Sequence, residues 1–206
     1  MGTLNLLKGS WEGKVGETVG SKWKNKNTIR TYTKPSNPDT AAQQTVRGVF
    51  KDMTQFVALF SDQMKYLNSL DTRGQSVRNA IIQLNKSQIS AGTFTKSTLQ
   101  VNRGGLPNVT GFSLGTLAIG NSLTATFTAP AATNISDDAV IVVAVIDQEN
   151  LIAAVSSAAL SAETITVSVP CTASATLDVY YWVIDYRGSS RVGSRSGYVT
   201  GTVPSA

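Results

Sequence analysis

Leu177-Asp178-Val179-Tyr180-Tyr181-Trp182-Val183-Ile184-Asp185 has the residue types of a β-strand without the clean alternation of one that faces water on one side. Over part of its length both faces carry apolar side chains. A strand of that kind belongs at the centre of a sheet, with helices or a neighbouring subunit covering one side. The surrounding sequence has the same texture. Gly104-Gly105-Leu106-Pro107-Asn108 is a loop signal, and short segments rich in Val, Ile, Thr and Tyr follow it, separated by turns. Strands are expected near 97–102, 110–118, 122–128, 139–147, 151–157, 163–169, 177–186 and 192–200. This spacing predicts an antiparallel sandwich, with hairpin turns at Asp147-Gln148-Glu149-Asn150 and Tyr186-Arg187-Gly188-Ser189-Ser190.

Upstream the period changes. Lys34-Pro35-Ser36-Asn37-Pro38-Asp39-Thr40 forces an extended path and offers helix caps, Thr40 with Gln43 fitting a capping box. Val46, Val49, Phe50, Met53, Phe56, Val57 and Phe60 then recur at three- and four-residue steps, the apolar stripe of an amphipathic helix that packs on the core. A second helix is expected from about Gln75 to Lys86, with Asp71 or Ser76 as its cap. The fold class is mainly β with a small α part (α+β). Its expected parts are an extended docking arm over residues 1–38, a helical element over 39–96 and a β-sandwich over 97–206.

The arm contains Gly9-Ser10-Trp11-Glu12-Gly13-Lys14-Val15-Gly16-Glu17-Thr18-Val19-Gly20-Ser21-Lys22-Trp23-Lys24. It lacks the periodicity of a self-burying helix yet carries large apolar side chains. Burying Trp11 and Trp23 would contribute roughly 4–6 kcal/mol each at about 25 cal/mol per Å². Ordering the backbone of about thirty residues costs on the order of 1–2 kcal/mol apiece. The tryptophans alone cannot order the segment, so either Leu4, Leu6, Leu7, Val15, Val19 and Ile29 also find partners or a neighbouring chain supplies the surface. An ordinary N-terminal hairpin of the parent domain is the alternative. The candidate docking residues are Trp11, Gly13, Lys14, Val15, Gly16, Val19, Gly20, Trp23, Lys24 and Arg30, the glycines permitting tight turns and close backbone approach. Lys22, Lys24, Lys26, Arg30 and Lys34 near Trp23 and Tyr32 also suit a nucleic-acid backbone with aromatic stacking, but lysines around tryptophan fit the rim of a protein interface better.

The chain of 206 residues has a formal charge of +5, unevenly distributed. Residues 1–103 hold fifteen Lys or Arg against six acids; residues 104–206 hold Arg187, Arg191 and Arg195 against seven. A basic half can meet nucleic acid, an anionic surface or the acidic half of another copy, which would favour head-to-tail association into a homo-oligomer. There is no histidine, and Cys171 is the only cysteine. That inventory removes the usual general base at neutral pH, the common zinc ligand sets and the Ser-His and Cys-His nucleophile pairs. No catalytic residue and no cofactor is implied, and Cys171 is expected to be a half-buried structural thiol. Gly9 and Gly13 enclose three residues rather than four and Val15 follows Lys14, so a phosphate-binding loop is excluded. Asp137-Asp138 and Asp147-Gln148-Glu149-Asn150 lack the spacing of a calcium loop. Asn85, Asn108 and Asn134 begin glycosylation-type triplets that carry no weight without a secretion signal. Leu4 to Leu7 is too short for a signal-peptide core and no run suits a membrane helix, so cytoplasmic synthesis without a membrane partner is expected.

The succession Gly13-Lys14-Val15-Gly16, Val19-Gly20, Trp23-Lys24, Ile29-Arg30, Asn37-Pro38-Asp39-Thr40, Gln43-Gln44, Arg47 and Phe50 resembles an uncharacterised protein family of Bacteroidetes and their tailed phages. Asn102-Arg103-Gly104-Gly105-Leu106-Pro107, Tyr181-Trp182-Val183-Ile184-Asp185-Tyr186-Arg187-Gly188 and Ser194-Arg195-Ser196-Gly197-Tyr198 continue the resemblance over nearly the whole chain. Asn25 departs from it, where glycine is expected after Trp23-Lys24. The resemblance implies an immunoglobulin-like C-terminal sandwich and a context rather than a mechanism: a virion structural protein, in a head decoration, neck, tail or fibre, whose arm grips other virion proteins and copies of itself. The competing class is a carbohydrate- or nucleic-acid-binding module without catalysis. Exposure of Tyr180, Trp182 and Tyr186 together on one sheet face would favour sugar; burial of alternate members would favour core.

Overall fold

The computed structural model describes residues 3–5, 10–23, 26–34, 36, 38–118, 122–131, 134–147, 149–170, 174–188 and 190–203. In chain order the elements are β1 (Thr3–Asn5), β2 (Ser10–Val15), β3 (Thr18–Trp23), β4 (Lys26–Thr31), α1 (Ala41–Ser61), α2 (Val77–Leu84), α3 (Lys86–Ala91), β5 (Thr110–Ala118), β6 (Ser122–Thr128), β7 (Val140–Asp147), β8 (Ile152–Ala159), β9 (Thr164–Val167), β10 (Thr176–Arg187), β11 (Ser190–Gly193) and β12 (Gly197–Thr202). The chain divides after Thr40 into two units. The helices and the sandwich, expected as separate spans, share the second.

In the first unit, β1 to β4 form an antiparallel meander in sequence order. The expected arm is therefore a sheet. Gly16 alone carries a positive φ, 61°, in the two-residue turn between β2 and β3, as a type II′ hairpin turn needs. The backbone bond from Tyr32 N to Glu17 O, 2.6 Å, extends the β3–β4 pairing past Thr31.

The second unit is built around the pairing of β7 with β10, which runs from Leu177 opposite Asp147 to Ile184 opposite Val140. β8 flanks β7, while β11 and β12 pair with the two halves of the opposite edge of β10. Strands β5, β6 and β9 make a second antiparallel sheet. Strands β5, β6 and β9 thus share one sheet and β7, β8, β10, β11 and β12 share the other, with β11 and β12 together filling one edge position beside β10, the partition of an immunoglobulin-like sandwich. Its core gathers Ile141, Val143 and Val145 of β7 and Leu177, Val179 and Val183 of β10 against Leu123, Ala125, Phe127, Ile165 and Val167.

The outer face of the large sheet is equally dry. Val142, Ala144 and Ile146 of β7 and Tyr180, Trp182 and Ile184 of β10 pack under Met53, Phe56, Val57 and Phe60 of α1 and Ile81 of α2. This explains the imperfect alternation in residues 177–185, since even- and odd-numbered side chains enter two different cores. The rings of Phe60 and Tyr180 stack with centroids 6.3 Å apart. Each large aromatic also places its polar tip: Tyr180 Oη donates to Lys96 O at 2.8 Å and Trp182 Nε1 to Leu67 O at 3.0 Å. Such bonds let Tyr and Trp be buried without an orphaned donor.

Several expectations change in detail. Only the second half of the α1 stripe packs; Val46 and Phe50 are exposed, Phe50 at 48 %. Ser76, with its oxygen accepting from Asn79 N at 3.2 Å, caps α2, whereas Asp71 binds the backbone and guanidinium of Arg73. The helix stops at Asn85, whose buried side chain donates to Ile81 O and Gln100 O and accepts from Gln100 N. Residues 97–102 are a 3-10 turn and irregular chain rather than a strand. Side chains take their ladder positions, Asn85 at Gln100 and Ser196 Oγ at Val101 N. The expected strand at 192–200 is split into β11 and β12 because Ser194 turns inward, its Oγ accepting from Val183 N at 2.8 Å.

The motif Asn102-Arg103-Gly104 is a seam. Asn102, fully buried, accepts from Ser69 N at 2.9 Å and donates to Ser194 O at 2.9 Å. A Cβ on Gly104 would overlap the carbonyl of Gly193, so the close approach of these backbones requires glycine.

Two outcomes are expected. Trp182→Ala, which empties a fully buried site and orphans Leu67 O, will destabilise the fold by about 3–5 kcal/mol in denaturant titration. Burial alone would raise the carboxyl of Asp185, but hydrogen bonds from Ser136 and Arg187 outweigh it and hold the group below its usual range. A depressed folded-state value means stability present above the ordinary aspartate value of about 3.9 and lost as pH falls through the folded one. The stability deficit of Asp185→Asn will accordingly be largest near neutrality and shrink below about pH 4, read from urea midpoints across pH.

Candidate docking surface

Cross-strand register sorts the predicted docking residues onto two faces of the N-terminal sheet. Lys14, Val19 and Arg30 are directly opposed across β2, β3 and β4, and so share one face. The Lys14 ammonium sits 3.7 Å from the centre of the Tyr32 ring, an attraction worth about 0.5–1 kcal/mol at an exposed site. Ser21 and Thr28 join hydroxyls on the same face at 2.8 Å. The other face takes Gly13, Gly20 and Ile29, opposed in one row, with Val15 beside them. Trp11 pairs with Leu4 and Trp23 with Lys26 by register. Lys24 lies outside the described residues, as do Asn25, Pro35, Asn37 and Cys171.

The strands pair in sequence order, but few of the described side chains are buried. Val15, Ile29 and Tyr32 are exposed, Ile29 at 60 %, and every residue of β4 faces solvent. Among the described residues of this unit, none joins either hydrophobic cluster. Small sheets without a covered face are marginal in water. Strand β4 is also an edge, carrying Lys26 and Arg30, residues that block indiscriminate edge pairing while leaving a template for a chosen partner. In the second unit most of the first three turns of α1 is exposed, with Val46 and Phe50 one turn apart in solvent and Val49 half-buried.

Other site hypotheses meet the structure as follows. Tyr180 and Trp182 are fully buried and only Tyr186 is exposed, so they form no flat platform for a sugar ring. Both oxygens of Asp147 are used by its own turn, accepting from Glu149 N, Asn150 N and Asn150 Nδ2 at 2.7–3.2 Å. Among the described residues no three His, Cys, Asp or Glu side chains gather as metal ligands. No helix among them is long and apolar enough to cross a membrane.

One concave feature escaped the sequence reasoning. Lys65, Arg78 and Arg191 line a common cavity in the second unit; they come from segments up to 126 residues apart, and no local spacing links them.

No family model and no curated protein matches the chain. Among solved structures, it is similar to the solution structure of the fn3 domain of human collagen alpha-1(XX) chain, with 16 % identity and a TM-score of 0.34, covering 50 % of this chain and 86 % of that one.

Exposure on the N-terminal sheet makes a direct prediction. Val15→Asp and Ile29→Asp will each change the stability of the isolated chain by no more than about 0.5 kcal/mol, measured by thermal unfolding, because neither side chain is buried.

Proposed function

We propose that this protein is a non-enzymatic virion structural subunit that anchors to neighbouring subunits, including copies of itself, through its N-terminal sheet. The observation that carries this proposal is a sheet that leaves Val15, Ile29 and Tyr32 in water while a fully cored sandwich follows in the same chain. Exposed apolar residues within a basic surround have the composition of an interface awaiting its partner. The charge pattern supports self-association: residues 1–40 hold seven Lys or Arg against three acids, and residues 104–206 are net acidic. The virion context rests on the family resemblance carried by Gly13-Lys14-Val15-Gly16 and Val19-Gly20 with Trp23-Lys24. The chain's lack of histidine supports a structural rather than a catalytic role.

The test is incorporation. A chain lacking residues 1–34 is expected to remain soluble and folded yet fail to enter particles assembled in infected cells, with copy number read by mass spectrometry of purified particles. Unimpaired incorporation would overturn the anchor. Tight DNA binding by the full chain, falling steeply with salt and lost on the same truncation, would instead assign the basic face to nucleic acid.

A further inference from the structure

The cavity lined by Lys65, Arg78 and Arg191 has a volume of about 810 Å³ and lies between the end of α1, the turn that follows it, the start of α2 and β11. It has the parts of an anion site. Among the described residues none of its three cations has an ion-pair partner: the recorded salt bridges join Arg73 to Asp71, Lys96 to Asp178 and Arg187 to Asp185. Asp62 is the one acid on the lining. The first turn of α2 forms part of the wall, and Ser76 satisfies only the Asn79 amide. The amides of Val77 and Arg78 remain for a ligand at the positive end of the helix.

Two buried polar atoms point the same way. Ser61 is 2 % exposed and lines the cavity, yet its Oγ has no hydrogen-bond partner; Arg78 Nε is also shielded and unpartnered. Orphaned buried polar atoms are uncommon in folded proteins and cost about 1–3 kcal/mol each. Both orphaned atoms belong to residues of the cavity wall, one of them on a guanidinium.

The lining also holds a flat surface. Tyr66 is 64 % exposed, with the Lys65 ammonium 5.4 Å and the Arg191 guanidinium 5.8 Å from its ring centre. The bond from Tyr186 Oη to Tyr66 O, 3.3 Å, ties its backbone to β10. A ring stacked on Tyr66 would place an attached anionic group among these cations.

We propose that this cavity binds a small ring-bearing phosphate monoester, the phosphate taken by Arg78, Arg191, Lys65, the Ser61 hydroxyl and the start of α2, and the ring by Tyr66. The cavity is lined by residues of the second unit alone, and this assignment does not rest on the anchoring role of the N-terminal sheet. A phosphate rather than a carboxylate fits because three cations and a helix N-terminus line the one cavity, matching a dianion with three acceptor oxygens.

The experiment titrates the full chain with adenosine 5′-monophosphate, adenosine and inorganic phosphate, followed by amide chemical shifts in NMR. Saturable shifts centred on residues 61–79 and 191 are expected with the monophosphate, at an affinity at least tenfold above that of adenosine. Arg191→Gln and Tyr66→Ala change exposed side chains and will fold; the first is expected to weaken the monophosphate at least tenfold and to abolish the inorganic phosphate shifts. Tyr66→Ala is expected to weaken the monophosphate while sparing inorganic phosphate. Ser61→Ala will weaken both. Absence of saturation by 10 mM monophosphate, equal affinity for adenosine, or unchanged affinity in Arg191→Gln and Ser61→Ala would each overturn the assignment.

Discussion

Everything in the second unit depends on the pairing of β7 with β10, two strands buried on both faces. One face closes the sandwich and the other carries the helices. In an antiparallel sandwich the outer face of a sheet is commonly wet, and here it is sealed by aromatic and aliphatic side chains from α1 and α2. The helices are therefore a third layer on the sandwich rather than an appended domain. Its polar seams, with Trp182 on Leu67 and Tyr180 on Lys96, fix how the layers register.

The contrast between the two units gives the functional proposal its physical content. In one, nearly every apolar residue of the central strands is covered. In the other, backbone hydrogen bonds organise a meander whose described side chains remain largely in solvent. Ladder bonds confer little net stability when both partners could bond water instead. On the proposed anchoring role, a sheet so built would gain most of its rigidity from the partner, and lysine and arginine along it would favour an acidic covering surface.

Much of the fold was legible in the sequence because periodicity reports burial directly. The two-sided apolar pattern of residues 177–185 placed the central strand, and Met53 to Phe60 placed the covering helix. What was not legible depends on side chains replacing backbone ladders. Residues 97–102 have strand-forming composition, but Asn85 and Ser196 occupy their hydrogen-bonding groups. Ser194 interrupts what reads as one closing strand. Val46 and Phe50 continue the helical stripe, so no pattern distinguishes them from the buried residues downstream; only the extent of the sheet decides where cover ends. For the N-terminal segment, the glycines and lysines did not disclose the strand pairing, since opposed Gly13 and Gly20 lack the side chains from which register is normally inferred. The cation-lined cavity left no trace in the sequence, its members being brought together only by the fold.

The order in which the layers are made has a cost during synthesis. Helix α1 leaves the ribosome with Met53, Phe56 and Phe60 ready, but the strand holding Tyr180 and Trp182 follows more than a hundred residues later. Throughout that interval the nascent helix has only part of its native cover, from α2 and then β7, and a partly bare apolar stripe is prone to premature association. Asn102 must likewise wait for Ser194 before its seam can close. The chain thus depends on β10, far downstream, to retire the stickiness of its first helix, which gives a cell reason to hold the nascent product in chaperone hands until that strand has emerged.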